Sequence, residues 1–208
     1  MKRQLKKSVV NGLYVISFTL LVGGIVLLGV LTKKADSKNY EYVSKGILDY
    51  EEYVQVVTTT PTIVRPYIDS NINVVKNYYD YLAESKLQEE SLIYYEGTYI
   101  QSSGVSYSNG NVFDVISILN GTVKEVKEDA TLGNIITIEH ENGITSIYQS
   151  VSDIAVSTGD SVTQGQLIAK SSTSNISTEL NNHLYFELIV NGECVNPENY
   201  YNKAINEI

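Results

Sequence analysis

A single cysteine, Cys194, excludes any disulfide within the chain, and its expected role is that of a small packed apolar residue, with an interchain pair as the alternative. Positive charge is scarce beyond the first 34 residues. Six of the 15 lysines and arginines and none of the 24 acids lie there, which leaves nine cations against 24 acids and a formal charge of −15 on the remainder. A surface of that kind excludes nucleic acid and broad adhesion to anionic lipid or wall polymer, and reads as a solvated exterior. Long apolar runs are also missing, apart from one at the N-terminus. The roughly 175 residues beyond that run can bury one ordinary core but not two large ones.

The one apolar run, within Ser8 to Thr32, carries no charge and is long enough to cross about 30 Å of hydrocarbon as a helix. It exceeds the roughly 7 to 15 apolar residues of a signal peptide and ends Leu31-Thr32-Lys33-Lys34 without a small-residue cleavage pattern, so a retained anchor is expected. Lys2, Arg3, Lys6 and Lys7 precede it while only Lys33 and Lys34 follow, which places the N-terminus in the cytoplasm and the bulk of the chain outside. The expected organisation is a tail over 1–8, a transmembrane helix over 9–32, a stalk over 33–67, a helix over 68–91 and a β domain over 92–208. The stalk is read from short polar runs, Thr58-Thr59-Thr60-Pro61 and Pro66. The helix is read from Asp69 or Ser70 as a cap and from Val75, Tyr78, Tyr79 and Leu82 at helical spacing. Its apolar stripe is too short for a coiled coil and predicts packing on the β domain.

From about Leu92 the pattern turns to strands. Phe113 to Leu119, Gly121 to Lys127, Asn134 to His140, Gly143 to Gln149, Ser161 to Ala169 and His183 to Val190 are β-branched or alternating, divided by Gly, Asn and Asp turns. A mainly β fold is predicted, with Phe113 to Leu119 as a candidate exposed edge. Seventeen tyrosines, many between 78 and 107, suit either half-buried packing or a partner surface. Asn120-Gly-Thr122 and Asn175-Ile-Ser177 match the glycosylation triplet, a match frequent by chance.

Residues 183–187 read His-Leu-Tyr-Phe-Glu, and on a strand His183 and Tyr185 share a face. Ser102-Ser103-Gly104-Val105-Ser106, Gly121-Thr122-Val123, His140-Glu141-Asn142-Gly143, Tyr148-Gln149-Ser150, the run Val156 to Gln166 and Val195-Asn196-Pro197 follow a recognisable order. This order resembles the LytM or lysostaphin-like family of zinc peptidoglycan endopeptidases over the C-terminal half. The run 156–166 also occurs in lipoyl and biotinyl carrier domains, but no lysine stands at a matching turn and the 183–187 motif has no place there.

The resemblance implies an antiparallel, LytM-like β domain of the duplicated hybrid motif kind, and it assigns the altered positions. Family members carry His-x-Gly-x-Asp where this chain has Ser102 and Ser106, and His-Leu-His-Phe-Glu where it has Tyr185, so all three implied zinc ligands are replaced. The implied catalytic histidine of Tyr-x-His-Leu is Ser150, and only His183 is retained. A catalytic zinc needs three protein ligands from imidazole, thiolate or carboxylate and an open position for water, which neutral hydroxyls do not supply. The resemblance therefore implies a pseudoenzyme without cofactor, with Ser150 and His183 as vestigial catalytic positions and Ser102, Ser106 and Tyr185 as vestigial metal positions.

One anchor, a helix leading into Tyr94-Tyr95-Glu96-Gly97-Thr98-Tyr99, and the degenerate positions resemble a sporulation branch of that family. That resemblance implies a forespore membrane protein whose β domain faces the space between forespore and mother cell. There it would bind a mother-cell protein anchored in the opposing membrane and join a ring-like channel or zipper during engulfment. Two other functions stay open on the sequence: a residual zinc-dependent hydrolase built around His183 and Glu187, and a regulator that binds peptidoglycan or activates a separate amidase.

Overall fold

The computed structural model describes residues 17, 19–21 and 60–208. Ser17 and Thr19 to Leu21 are helical. The rest of the expected tail, transmembrane helix and stalk up to residue 59 lies outside the described residues. Thr59–Ile208 forms one compact unit.

That unit is mainly antiparallel β. Its elements run β1 (Asn73–Lys76), α1 (Ser85–Glu90), β2 (Leu92–Tyr95), β3 (Thr98–Gln101), β4 (Val105–Ser108), β5 (Asp114–Ile116), β6 (Gly121–Asp129), β7 (Gly133–His140), β8 (Ile144–Ser152), β9 (Ser161–Val162), β10 (Leu167–Ser171), β11 (Leu184–Val190) and β12 (Glu193–Val195). The main sheet has the order β1-β4-β11-β8-β7-β6-β9, with β12 on β11 and with β10 joining β8 to β5. A separate hairpin pairs β2 with β3. Two-residue turns close the hairpins where the sequence supplies left-handed conformers: Glu96-Gly97 between β2 and β3, and Asn191-Gly192 between β11 and β12, all at positive φ.

Alternation along the strands builds the core. Leu184, Phe186, Leu188 and Val190 of β11 are buried on one face, where Phe186 meets Tyr148 of β8 edge-on at 5.1 Å between ring centroids. The buried Tyr148 hydroxyl accepts a hydrogen bond from the Ile118 amide at 3.1 Å, and burial raises its pKa to about 12. The opposite face of β11 presents Tyr185 and Glu187, half-buried.

Four expectations need correction. The domain does not begin at residue 92, nor is 60–67 part of a stalk. Ile63 is fully buried, its amide donates to the Lys203 carbonyl at 3.0 Å, and Arg65 forms a two-pronged pair with Glu198 at 2.9 and 2.8 Å. Glu198 also accepts from the buried Tyr107 hydroxyl at 2.7 Å, which in turn lies 2.8 Å from the Tyr201 hydroxyl. The prolines of this segment mark a chain that lies along the domain without a strand's ladder, bonded to the C-terminal segment.

The helix over 68–91 shrinks to Ser85–Glu90. Asp69 accepts from the Asn71 amide at 2.8 Å in a local turn rather than capping a helix, and the β-branched Val74 and Val75 enter β1, which pairs with β4. Cys194 is exposed on β12 rather than packed, because the short edge strand turns it outward. The Phe113 to Leu119 segment is not an open edge. Its strand β5 bonds β10 on one side, the Ile116 amide donates to Pro66 and the Val64 amide to Ile118, so the 63–66 segment covers the other side.

Candidate functional site

The positions singled out by sequence converge on the face of the sheet away from the Phe186 core. Tyr185 of β11 lies directly opposite Ser106 of β4 and, on its other side, Gln149 of β8. Cross-strand partners share a face, so Ser106, Tyr185 and Gln149 form one row. Ser102, on the loop before β4, is buried and donates to the Gly104 carbonyl at 2.9 Å. Gly104 is required by contact: a Cβ there would come within 2.3 Å of the Phe186 carbonyl oxygen. Gly104 thus has a packing task independent of any metal.

His183 and Ser150 meet behind this row. Ser150 Oγ lies 3.1 Å from His183 Nε2, and Ser174 Oγ lies 3.4 Å from the same nitrogen. His183 Nδ1 is 2.9 Å from the Asn181 carbonyl. A carbonyl can only accept, so Nδ1 carries the proton and Nε2 accepts from the serine hydroxyls. Burial lowers the pKa of His183, against the opposing effects of the Asn181 carbonyl and the Glu179 charge, which favours the neutral ring.

Ser150 has a positive φ of 59° although it lies within β8. The pairing of β7 with β8 explains this: Asn134 faces Val151 and Ile135 faces Gln149, so Ser150 is the extra residue of a bulge. Bulges re-aim one side chain, here toward His183. The position that the family resemblance gives to a catalytic histidine therefore has a strained backbone with a serine on it. The Ser150–His183 spacing is that of a nucleophile and its base, but the Ser150 amide already donates to the Leu132 carbonyl at 3.1 Å and is not free to stabilise an oxyanion.

Tyr185 interacts with Ser102, with the Gly104 backbone and with Glu187. Burial, with the Glu187 charge added, holds its phenol well above the usual range, so it stays protonated. The Glu187 pKa is itself raised by burial, partly offset by the neighbouring Tyr185 phenol. The three positions implied as zinc ligands thus present two serine hydroxyls and a protonated phenol, which do not fit zinc. No group of three or more histidine, cysteine, aspartate or glutamate side chains suited to a metal occurs among the described residues.

A cavity of about 170 Å³ remains, lined by Gln149, Ser150, His183, Tyr185 and Glu187 on the sheet side. The β2–β3 hairpin contributes its opposed pair Ile93 and Ile100 to the lining, and Leu132 and Ile176 add further apolar surface. Sequence reading missed these apolar lining residues. Its signal was available for the hairpin, since Ile93 and Ile100 alternate with tyrosines around Glu96-Gly97, but strand periodicity does not say which face will meet the sheet.

The antiparallel sheet and the 183–187 motif are those of a LytM-like domain, and residues 101–197 match the model of Peptidase family M23. A zinc-containing peptidase from Vibrio cholerae shares this fold, with a TM-score of 0.53 over 65% of this chain and 39% of that one at 22% identity. Over 161 residues, 76% of the chain, the sequence is 35% identical to stage II sporulation protein Q (SpoIIQ) of Bacillus subtilis (strain 168), of which the chain spans 57%. Two solved structures of SpoIIQ in complex with SpoIIIAH are also similar. One, a pore-forming complex, has a TM-score of 0.69 at 35% identity, covering 72% of this chain and 96% of that one. The other has 0.65 at 37%, covering 67% and 99%. The chain belongs to the SpoIIQ family of sporulation proteins.

Proposed function

We propose that the protein is a membrane-anchored, non-catalytic interaction module of sporulation that docks a SpoIIIAH-like partner anchored in the opposing membrane. The observation that carries the reading is the chemistry of the mapped centre. On the family resemblance Ser102, Ser106 and Tyr185 correspond to the zinc ligands of a peptidase, and here they gather on one face of the sheet as two hydroxyls and a phenol. The similarity to SpoIIQ chains solved with SpoIIIAH supplies the partner class.

On this reading the N-terminal run is a transmembrane helix with its N-terminus in the cytoplasm of the forespore, and the β domain lies in the intermembrane space. Two partners anchored in facing membranes across a narrow gap gain effective concentration, so modest contacts repeated around a ring hold the membranes together as a channel or zipper. Ser150 and His183 are vestigial catalytic positions and now serve packing. Ser102, Ser106 and Tyr185 are vestigial metal positions, and no cofactor is used.

Affinity capture of the full-length protein from sporulating cells tests this, run beside a pull-down on purified cell wall. Recovery of a SpoIIIAH-type membrane protein, with zinc far below one equivalent, is expected. Recovery on wall material alone would favour a wall-binding regulator, and one tightly held zinc per chain would favour a residual hydrolase.

A further inference from the structure

Glu187 is a carboxylate without a cationic partner. It is half-buried on β11, and no ion pair among the described residues includes it. The cavity that it lines presents no lysine or arginine among the described residues, and burial favours the neutral forms of the two other titratable groups there, His183 and Tyr185. Burial costs a carboxylate free energy that a cation or hydrogen-bond donors return. The raised pKa of Glu187 has the same cause, with the Tyr185 phenol as the opposing neighbour.

The acceptors beside Glu187 suit one donor with several N–H groups. Glu187 and Tyr185 stand two residues apart on β11 and share a face, and Gln149 of β8 is the register partner of Tyr185 on the same side. A carboxylate, a phenol oxygen and an amide carbonyl therefore edge one cavity. A primary ammonium carries three donors and no acceptor, which matches that set. The remaining wall is largely aliphatic, from Ile93, Ile100, Leu132 and Ile176, and suits a hydrocarbon stem. A volume of about 170 Å³, at about 30 Å³ for each water-sized group, holds about five or six heavy atoms. The Glu187 charge excludes an anion. A quaternary ammonium has no N–H to give and needs an aromatic cage, whereas Tyr185 is the one tyrosine on this lining among the described residues, without phenylalanine or tryptophan.

We propose that this cavity binds a primary alkylammonium ion with a stem of about four carbons, its charged end on Glu187, Tyr185 and Gln149 and its stem against the aliphatic wall. A free small amine and a lysine side chain share this chemistry, and both are charged at pH 7. The site uses neither zinc nor a reaction, goes beyond the docking reading and does not depend on it.

The test is an NMR titration of the full-length protein in detergent at pH 7 with n-butylammonium, n-butanol and tetramethylammonium. n-Butylammonium is expected to saturate one site, with shifts centred on Gln149, Tyr185 and Glu187. n-Butanol and tetramethylammonium are expected to bind about tenfold more weakly or less, and Glu187→Gln to weaken n-butylammonium by about tenfold or more. Nα-acetyl-lysine N-methylamide separates the two sources: saturation at the same residues assigns a lysine side chain, and none beside a bound n-butylammonium assigns a free amine. Equal binding of n-butanol, undiminished binding by Glu187→Gln, shifts confined to other residues, or no saturable binding of n-butylammonium each overturn the site. Should Glu187→Gln not fold, the Glu187 carboxyl followed in the wild type decides. Its pKa falls on saturation with n-butylammonium if the ammonium sits on it, and an unchanged pKa overturns the proposal.

Discussion

Replacing Glu198 by glutamine should expose how the start of the domain is held. Glu198 joins three groups: the Arg65 guanidinium through two hydrogen bonds of 2.9 and 2.8 Å, and the buried Tyr107 hydroxyl at 2.7 Å. The Arg65–Glu198 pair is part-exposed, so solvent screening keeps it near the low end, about 0.5 to 1 kcal/mol. The bond from Tyr107 to a charged acceptor is buried on one side and contributes about 1.5 kcal/mol. Together the substitution should cost about 2 kcal/mol, or roughly 4 to 8 °C in Tm for a domain of this size. The effect has a defined pH window. Burial raises the Glu198 pKa, but the bonds from Arg65 and Tyr107 and the Arg65 charge outweigh it, so the folded value lies below the ordinary one. A carboxylate depressed in this way contributes stability above its unfolded pKa and loses it as pH falls through the folded value. Thermal unfolding of residues 59–208 followed by circular dichroism should show the full gap between wild type and Glu198→Gln at pH 7 and a narrowing gap below about pH 4.3. Equal Tm values at pH 7 would refute the claim that residues 60–67 are integral to the domain.

Gly104→Ala should destabilise the domain by about 2 kcal/mol or more, because the new Cβ meets backbone on β11 that cannot yield, and a denaturant titration would register it. The combined variant Ser102→His, Ser106→Asp and Tyr185→His should acquire zinc measurable by elemental analysis; a folded variant that binds none would show that the three positions are wrongly mapped. His183→Phe should flatten the loss of stability that sets in as pH falls below about 6.5. The neutral ring of His183 has a pKa lowered by burial, so the wild type is fully stabilised above the unfolded value and loses that contribution as pH falls through the folded one. A buried His140, lowered for the same first reason, accounts for whatever slope persists in that variant.

The strands were legible where turn chemistry and alternation agreed. Gly121–Asp129, Gly133–His140, Ile144–Ser152 and Leu184–Val190 fall within two or three residues of expectation, since Asn142-Gly143 and Asn191-Gly192 fix their ends. The expected strand over 161–169 divides into Ser161–Val162 and Leu167–Ser171 because Thr163 to Gln166 closes a turn, the Gln166 amide donating to Thr163. The helix failed for a physical reason: Val74 and Val75 satisfy a helical stripe and a half-exposed strand equally well, and only the open flank of β4 decides between them. The burial of Ile63 was illegible because its partners, around Lys203, lie some 140 residues away. Motif order alone singled out positions that the structure places together, His183 beside Ser150 and Tyr185 opposite Ser106. The bulge that aims Ser150, and the hairpin that lines the cavity, depend on register between distant strands and left no local mark.

The most direct test of the central claim is release of muropeptides from purified peptidoglycan by the full-length protein, wild type beside His183→Ala, with zinc supplied. The account predicts no release above background from either and equal recovery of the SpoIIIAH-type partner by both. Release by the wild type that His183→Ala abolishes would contradict it and establish a working hydrolase at this centre.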